Sequence, residues 1–550
     1  MSKAKPAVFE GNGFPWRELF ILVIGPFMAI LDGSIVNVAV PKLMAVFGVG
    51  TDQVQWVLTA YLLTSGVVIP VSGYLGDVLG YRRMYILSLA AFTLGSLFCG
   101  LSWSNTSLVV ARVFQAVGGG MLVPISMGML FKVVPRGKMG MAMGVWGISA
   151  MMAPTVGPTL GGYLVDELSW HMIFLINLPV GLLGMFLAAV FLRETPLLKA
   201  RFDLVGCLLC GAGCFAVLLA LSEGQDKGWT SQYIVTLLAA AFFFLLLFVL
   251  WELQEEQPML DVRLLANPVF AASLLTTAVV TIGLFGGLFL VPIFTQNLLG
   301  LTPTQTGLLL MPAALASGLM MPISGRLYDK IGAKPLALVG LSVVAYTTWE
   351  LHKINLDIST HWLQMMMVYR SLGMGLAMMP IGTAGMEAVG ARLSGRASAF
   401  NNLVRQVSAS LGIAFLTYVM TKRQAYHFSW LADGFSWSSP VAYGALQQVK
   451  QALALSGDSA LAVISLAAQR QAMASAIADT FIVSAVMVAV AIPLSLLLGK
   501  KEYVSREQSR RAIKESAGAW SDENHPELQT VVDVEKYVRE VRSTWRRAEH

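Results

Sequence analysis

Residues 73–83 read GYLGDVLGYRR and residues 325–334 read GRLYDKIGAK. Both carry G-x-L-x-D-x-x-G followed by a basic residue, so the chain holds two related copies of one short motif, centred on Asp77 and Asp329. Each copy follows a long apolar run. Each is in turn followed by an arginine in a glycine-rich apolar stretch: Arg112 ahead of Gly118, Gly119 and Gly120, and Arg370 ahead of Gly373 and Gly375. Such a repeat in apolar sequence predicts two helical bundles facing each other across a cavity at membrane depth, the architecture of secondary transporters.

The composition around the repeat agrees. Of 550 residues, 56% are hydrophobic and 13% charged, where soluble domains carry about a quarter charged residues; mean hydropathy is +0.67. Of the 38 basic and 32 acidic residues, 21 lie in 500–550, so an apolar body precedes a polar tail. The net charge of +6 does not indicate a nucleic-acid partner, because the basic residues stand singly between apolar runs rather than clustered with aromatics. Cys207, Cys210 and Cys214 have no His or carboxylate beside them in the sequence, so they read as buried thiols and no metal is expected. No G-x-x-x-x-G-K-[ST] occurs, so ATP binding of the P-loop kind is not expected, nor is any other cofactor. Six histidines, none paired within an apolar run, argue against a membrane-embedded enzyme, the reading of another class.

A crossing helix needs about 20 mainly apolar residues. Fourteen runs qualify: 18–40, 54–75, 84–103, 108–131, 141–164, 172–192, 203–222, 232–251, 269–292, 305–325, 335–351, 361–384, 398–420 and 479–499. The run from Leu19 is too long for a cleaved signal and reads as a retained first span. Loops bearing Arg82 and Arg83; Lys132, Arg136 and Lys138; Arg193, Lys199 and Arg201; Arg326, Lys330 and Lys334; and Arg392 and Arg396 alternate with loops holding Lys42, Lys227, Lys353 and little else. The positive-inside rule makes the first set cytoplasmic, and both termini then fall inside. The organisation expected is a cytoplasmic N-terminus (1–17), a six-helix bundle (18–193), two inserted spans with linkers (194–268), a second six-helix bundle (269–499) with an external insert (421–478), and a cytoplasmic tail (500–550). Within the tail, 531–547 repeats apolar residues at helical spacing; a helix on the inner leaflet and a solvated tail are both open readings.

With spans placed, further motifs stand out. Span 1 reads LDGSIVNVAVP from Leu31 to Pro41, span 4 reads RVFQAVG from Arg112 to Gly118, and span 5 reads APTVGPTLGG from Ala153 to Gly162. WHMIFLINLP (Trp170 to Pro179) and NLVRQ (Asn402 to Gln406) complete the set. Taken with the Gly73–Arg83 motif, in which Val78 and Tyr81 replace the usual basic residues, the chain resembles the drug:proton antiporter-2 branch of the major facilitator superfamily, the fourteen-span multidrug exporters. The insert and tail lie outside the resemblance. It implies an all-α integral membrane protein with two six-helix bundles and two inserted spans in a bacterial cytoplasmic membrane. The function implied is proton-coupled export of lipophilic drugs by alternating access, conferring antibiotic resistance. An exporter of one dedicated lipid, peptide or metabolite shares every one of these features.

The residues themselves give the chemistry. Asp32 lies about 12 residues into span 1, ~18 Å deep at helical rise in a core about 30 Å thick. An acid there is costly unless neutralised or paired and is a functional-site hypothesis by default, so Asp32 is the candidate proton-coupling group; a carboxylate permanently hydrogen-bonded to its neighbours is the alternative. Arg112 can reach it directly or through Gln115, or can snorkel outward. Asn37, Gln115, Arg370, Arg405, Met374 and Met378 are candidate cavity residues, since flexible thioethers suit promiscuous apolar pockets; lipid-facing methionines are the plainer reading. One deep acid fits a monovalent cation as substrate, while three deep arginines leave an anion open. Asp77 is expected to gate the cytoplasmic side by capping a helix or pairing with Arg82 or Arg83, with Asp329 doing the same in the second repeat. Pro154, Gly157, Pro158, Gly161 and Gly162 predict a kinked, closely packed span 5 that seals against proton leak or simply packs. Expected partners are a lipophilic small molecule, protons and membrane lipids; a periplasmic adaptor protein is left open.

Overall fold

The computed structural model describes residues 14–135, 138–197, 203–389, 393–434, 444, 447 and 457–499. Arg136, Lys199, Arg201 and Arg392 lie outside the described residues, as do most of 435–456 in the expected insert, the first residues of the N-terminus and the tail with its 531–547 segment.

The described chain is nearly all helix. In order come α1 (Trp16–Phe47), α2 (Thr51–Leu79), α3 (Tyr81–Gly100), α4 (Asn105–Val133), α5 (Met139–Tyr163), the short α6 (Met172–Leu175) and α7 (Asn177–Phe191). The inserted pair is α8 (Leu204–Lys227) and α9 (Gln232–Gln254). Then follow α10 (Pro268–Ile293), α11 (Pro303–Ile331), α12 (Ala333–Glu350), α13 (Thr360–Val389), α14 (Ser394–Gly434) and α15 (Gly457–Ser495). Local chemistry sets several ends. Ser104 and Ser107 form a reciprocal capping box on α4, as do Thr302 and Gln305 on α11, satisfying backbone donors that a helix leaves orphaned. Asn267 caps α10 ahead of Pro268, a residue with no amide hydrogen to orphan at that position.

Several boundaries differ from the sequence expectation. The motifs at 73–83 and 325–334 are not loops: α2 continues to Leu79 and α11 to Ile331, and only Gly80 (φ 96°) and Gly332 (φ 82°) break the chain. Positive φ is open to glycine at little cost, which gives the last G of the motif its reason. The single span expected at 172–192 is interrupted at Ile176, because Pro179 has no amide to donate to Leu175. Helices α14 and α15 overrun the expected boundaries at 420 and 479, so much of the expected insert continues the spans themselves. Arg423 and His427 of α14 both meet Asp479 of α15, at 2.6 and 2.7 Å. Twelve helices are long and apolar enough to cross a membrane, thirteen if α5 and its continuation to Leu168 count as one. The run expected at 335–351 is α12, an 18-residue helix that is not among them. By this criterion the described residues hold twelve or thirteen spans where fourteen were expected.

Helices α1–α7 pack among themselves, and so do α10–α15. The halves meet along α5 against α11 and along α2 and α4 against α14. The inserted pair packs on the seam: Leu218 of α8 fills the space beside Gly66 of α2, Ser222 lies 3.4 Å from Thr59, and Gln225 donates to the Ala414 carbonyl of α14 at 3.3 Å. The outer surface is apolar. Phe242 is 70% exposed and Leu319 71%, and a surface so rich in exposed large apolar groups belongs in lipid rather than water.

Candidate functional site

Asp32 sits midway along α1 and is completely buried. Its Oδ2 accepts a hydrogen bond from Nη1 of Arg112 at 2.5 Å, and its Oδ1 accepts from Gln115 Nε2 at 2.8 Å and Asn177 Nδ2 at 2.9 Å. Ser96 of α3 forms the floor, accepting from the same Gln115 and Asn177 nitrogens at 2.7 and 3.3 Å. Arg112 is 1% exposed. It donates to the Gln115 side-chain oxygen (2.6 Å) and from Nε to the Val57 carbonyl (3.3 Å), and its guanidinium lies 4.1 Å from the Tyr61 ring centre. Arg112 therefore does not snorkel. An unpaired carboxylate or guanidinium at this depth costs several kcal/mol, and each is compensated by the other and by neutral dipoles.

Helix contacts hold this cluster in place. Ser34, two residues beyond Asp32, donates to the Pro154 carbonyl at 2.9 Å. A Cβ on Gly157 would collide with Ser34, and one on Gly161 would press on Ile35. These two glycines therefore bring α5 against α1 beside the acid, while Gly162 faces Thr304 of α11. Helix α5 bends by 44° between Met139–Pro154 and Val156–Leu168, where the prolines remove backbone donors.

Two cavities lie at the seam between the halves. The first, about 390 Å³, is lined by Gly33, Asn37, Tyr61, Arg112, Asn402, Arg405 and apolar neighbours. The second, about 370 Å³, is lined by Leu284, Phe285, Met367, Arg370, Met374, Met378 and Arg405 among others; Ile30, Arg405 and Gln406 line both. Of the expected cavity residues, Asn37, Arg370, Arg405, Met374 and Met378 do reach a cavity. Gln115 does not: it is fully buried as a bridge between Asp32 and Arg112. Asp32 lines neither cavity, and Arg112 stands between it and the first. Sequence reasoning assigned no role to Asn177, Ser96, Tyr61 or Gln406. Asn177 left a signal, an amide in the apolar run MIFLINLP, but nothing along the chain said which helix it would face.

The motif acids lie at one end of the seam. Asp77 is 1% exposed and accepts from Lys132 of α4 at 2.7 Å and from Tyr81 at 3.3 Å, with Arg396 of α14 at 4.0 Å. It does not pair with Arg82 or Arg83. Those residues begin α3, so their amides point to Glu194, whose carboxylate accepts from both at 3.1 and 3.2 Å. The Arg83 side chain is 3.7 Å from the same carboxylate. Asp329 does cap a helix, accepting from the amides of Gly140 and Met141 at 3.2 and 3.3 Å in the first turn of α5. The glycines that open the motif have matching partners. A Cβ on Gly73 would strike the Gly395 carbonyl of α14, and one on Gly325 would strike the Gly140 carbonyl of α5. In both repeats, therefore, the motif presses its glycine against the start of a helix from the other half; Asp329 also caps that helix, whereas Asp77 bonds within its own half and only approaches Arg396 of α14. This closes the seam at the motif face.

Residues 22–413 match the Major Facilitator Superfamily. The chain belongs to the Major Facilitator Superfamily. It is 37% identical to the uncharacterized MFS-type transporter YhcA of Bacillus subtilis over 78% of this chain and 80% of that one. It is 36% identical to the multidrug resistance protein Stp of Mycobacterium tuberculosis over 72% of this chain and 74% of that one. The solved proton:xylose symporter XylE shares the fold, with a TM-score of 0.56 at 12% identity over 88% of this chain and 99% of that one. The protein is thus a multi-pass membrane transporter of the major facilitator fold.

Proposed function

We propose that this transporter exports lipophilic compounds from the bacterial cytoplasm in exchange for protons, with Asp32 as the proton-coupling group. One observation carries the reading: a fully buried carboxylate midway along α1 is ion-paired to an arginine that borders a cavity between the two halves. Protonating Asp32 removes the charge that holds Arg112. The guanidinium can then turn toward the cavity, and the two halves rearrange around a site whose charge has changed. Binding of substrate beside Arg112 and binding of a proton to Asp32 thereby compete for the same arrangement, which is what exchange across alternating states requires. The glycine contacts at the motif face supply the closed side of one state, with Asp77, Lys132 and Asp329 as its gate and α5 as the kinked seal against α1 and α11. Cytoplasmic termini and a cytoplasmic motif face fit the distribution of positive loops. The multidrug name of the Mycobacterium relative supports lipophilic cargo.

The test is transport in proteoliposomes under an imposed pH gradient, comparing the wild type with Asp32→Asn. The expected result is loss of gradient-driven accumulation with passive exchange retained. Undiminished pH-driven uptake by the variant removes Asp32 from the coupling role.

A further inference from the structure

The two halves treat their repeated arginine differently. In the first, Arg112 is neutralised by Asp32 on α1. In the second, α10 opens the repeat as α1 opens the first, yet no Asp or Glu occurs anywhere between Pro268 and Ile293. Arg370 is nevertheless just as deeply placed, at 4% exposed. Nε donates to Thr348 Oγ1 at 3.1 Å and Nη2 to the Leu284 carbonyl at 2.9 Å. Both acceptors are neutral. Where a side chain of α10 would oppose the guanidinium stands Gly287, and a Cβ there would strike Nη1. Nη1 takes the space that the missing Cβ leaves, and it makes no hydrogen bond or ion pair with the described residues. It belongs to a residue that lines the second cavity.

The second cationic wall of that cavity is Arg405, whose Nη2 donates only to the neutral Asn402 side chain, at 3.1 Å. Among the described residues, no carboxylate lines either cavity. The remaining walls are neutral and mostly apolar, with Leu284, Phe285, Met367, Met374 and Met378 beside the uncharged Thr281, Ser317, Ser371 and Gln406. A guanidinium held in a low-dielectric pocket without a counter-charge is costly, and the cost falls when an anion completes the pair.

From this geometry we infer that the second cavity is a binding site for lipophilic organic anions, an apolar body seated on the methionines and Phe285 with a carboxylate, sulfonate or phosphate group between Arg370 and Arg405. The inference rests on the export reading above and names its substrate class. Flexible thioethers admit bodies of varied shape, while the guanidinium fork selects the sign of the head group.

The test is equilibrium binding, which needs no gradient and so fails or succeeds independently of proton coupling. Protein in phosphatidylcholine nanodiscs, with empty discs as blanks, is titrated with pyrenebutyrate and with a pyrenebutyl-trimethylammonium probe of the same skeleton. The anion should bind about tenfold more tightly than the cation. Arg370→Gln should weaken the anion about tenfold and leave the cation unchanged, as expected for the loss of one charge-assisted hydrogen bond. Arg370→Lys should recover part of the preference, and Arg405→Gln should reduce it on a protein that keeps Arg370. Equal or tighter binding of the cation by the wild type overturns the inference. So does an anion preference that survives both glutamine substitutions. If Arg370→Gln does not fold, the wild-type ratio and Arg405→Gln decide.

Discussion

Replacing Asp32 by Asn exchanges an anion for a neutral amide of the same shape, and the cost of the exchange is set by the groups around it. Gln115 and Asn177 both present nitrogens to Oδ1 and Arg112 presents one to Oδ2. An Asn can satisfy one of these sides with its oxygen but turns its own donor toward the other. Arg112, at 1% exposure, keeps the Val57 carbonyl, the Gln115 oxygen and the Tyr61 face and loses its only counter-charge among the described residues. Removing one member of a buried pair typically costs about 3–5 kcal/mol, most of it from the stranded charge. Those neutral contacts place the expectation near the lower end, about 3 kcal/mol. With an unfolding entropy of ~2 cal/mol/K per residue, a chain of this length should lose about 3 °C in Tm. Arg112→Gln should cost a similar amount for the mirror-image reason. The double variant Asp32→Asn/Arg112→Gln buries no charge at this site and should cost no more than either single variant, about 3 kcal/mol where the single losses sum to about 6, giving a coupling of about 3 kcal/mol. The assay is thermal unfolding of all four proteins in one detergent at one pH. Strictly additive losses, or an Asp32→Asn variant as stable as the wild type, would refute the view that a mutually compensated ion pair sits at the heart of the first half.

The motif face yields two more expected outcomes. Gly73→Leu sets a branched side chain against the Gly395 backbone, so α2 and α14 must separate there. A cysteine introduced at Asn402, on the wall of the first cavity, should then label faster with a maleimide from the motif side than in the Gly73 parent; an unchanged rate would mean the contact is no seal. Glu194→Ala removes the acceptor for the first amides of α3 and should cost about 1 kcal/mol as a lost cap. Ala at Arg83, whose side chain is mostly exposed, should cost much less in the same unfolding assay, and a reversal of that order would restore Arg83 to a structural role.

Several of these relations are legible along the chain. Asp32 announces itself as the one acid inside the first apolar run, and Arg112 as the cation of the fourth. Depth along the chain puts the two within reach of each other but leaves outward snorkelling of Arg112 open, and packing decides for the direct pair. Asn177 and Ser96 complete the same cluster with a weaker mark, since a single amide or hydroxyl in an apolar run is tolerated wherever a carbonyl is near and does not say which helix it faces. The pairing of Asp77 failed for a different reason. Arg82 and Arg83 are its neighbours in sequence, but the turn at Gly80 sends them toward Glu194, while Lys132, 55 residues away, arrives from α4 at 2.7 Å.

The amino-acid sequence by itself determined that the chain is a duplicated set of membrane helices, because hydropathy, loop charge and a repeated motif are properties of residues in order. Which side chains neutralise one another was decided only by tertiary structure. In lipid a buried charge must find its partner through space, and the helix that brings it is set by packing. Arg112 and Arg370 occupy matching places along the chain, and folding gave a carboxylate to one and an open cavity to the other.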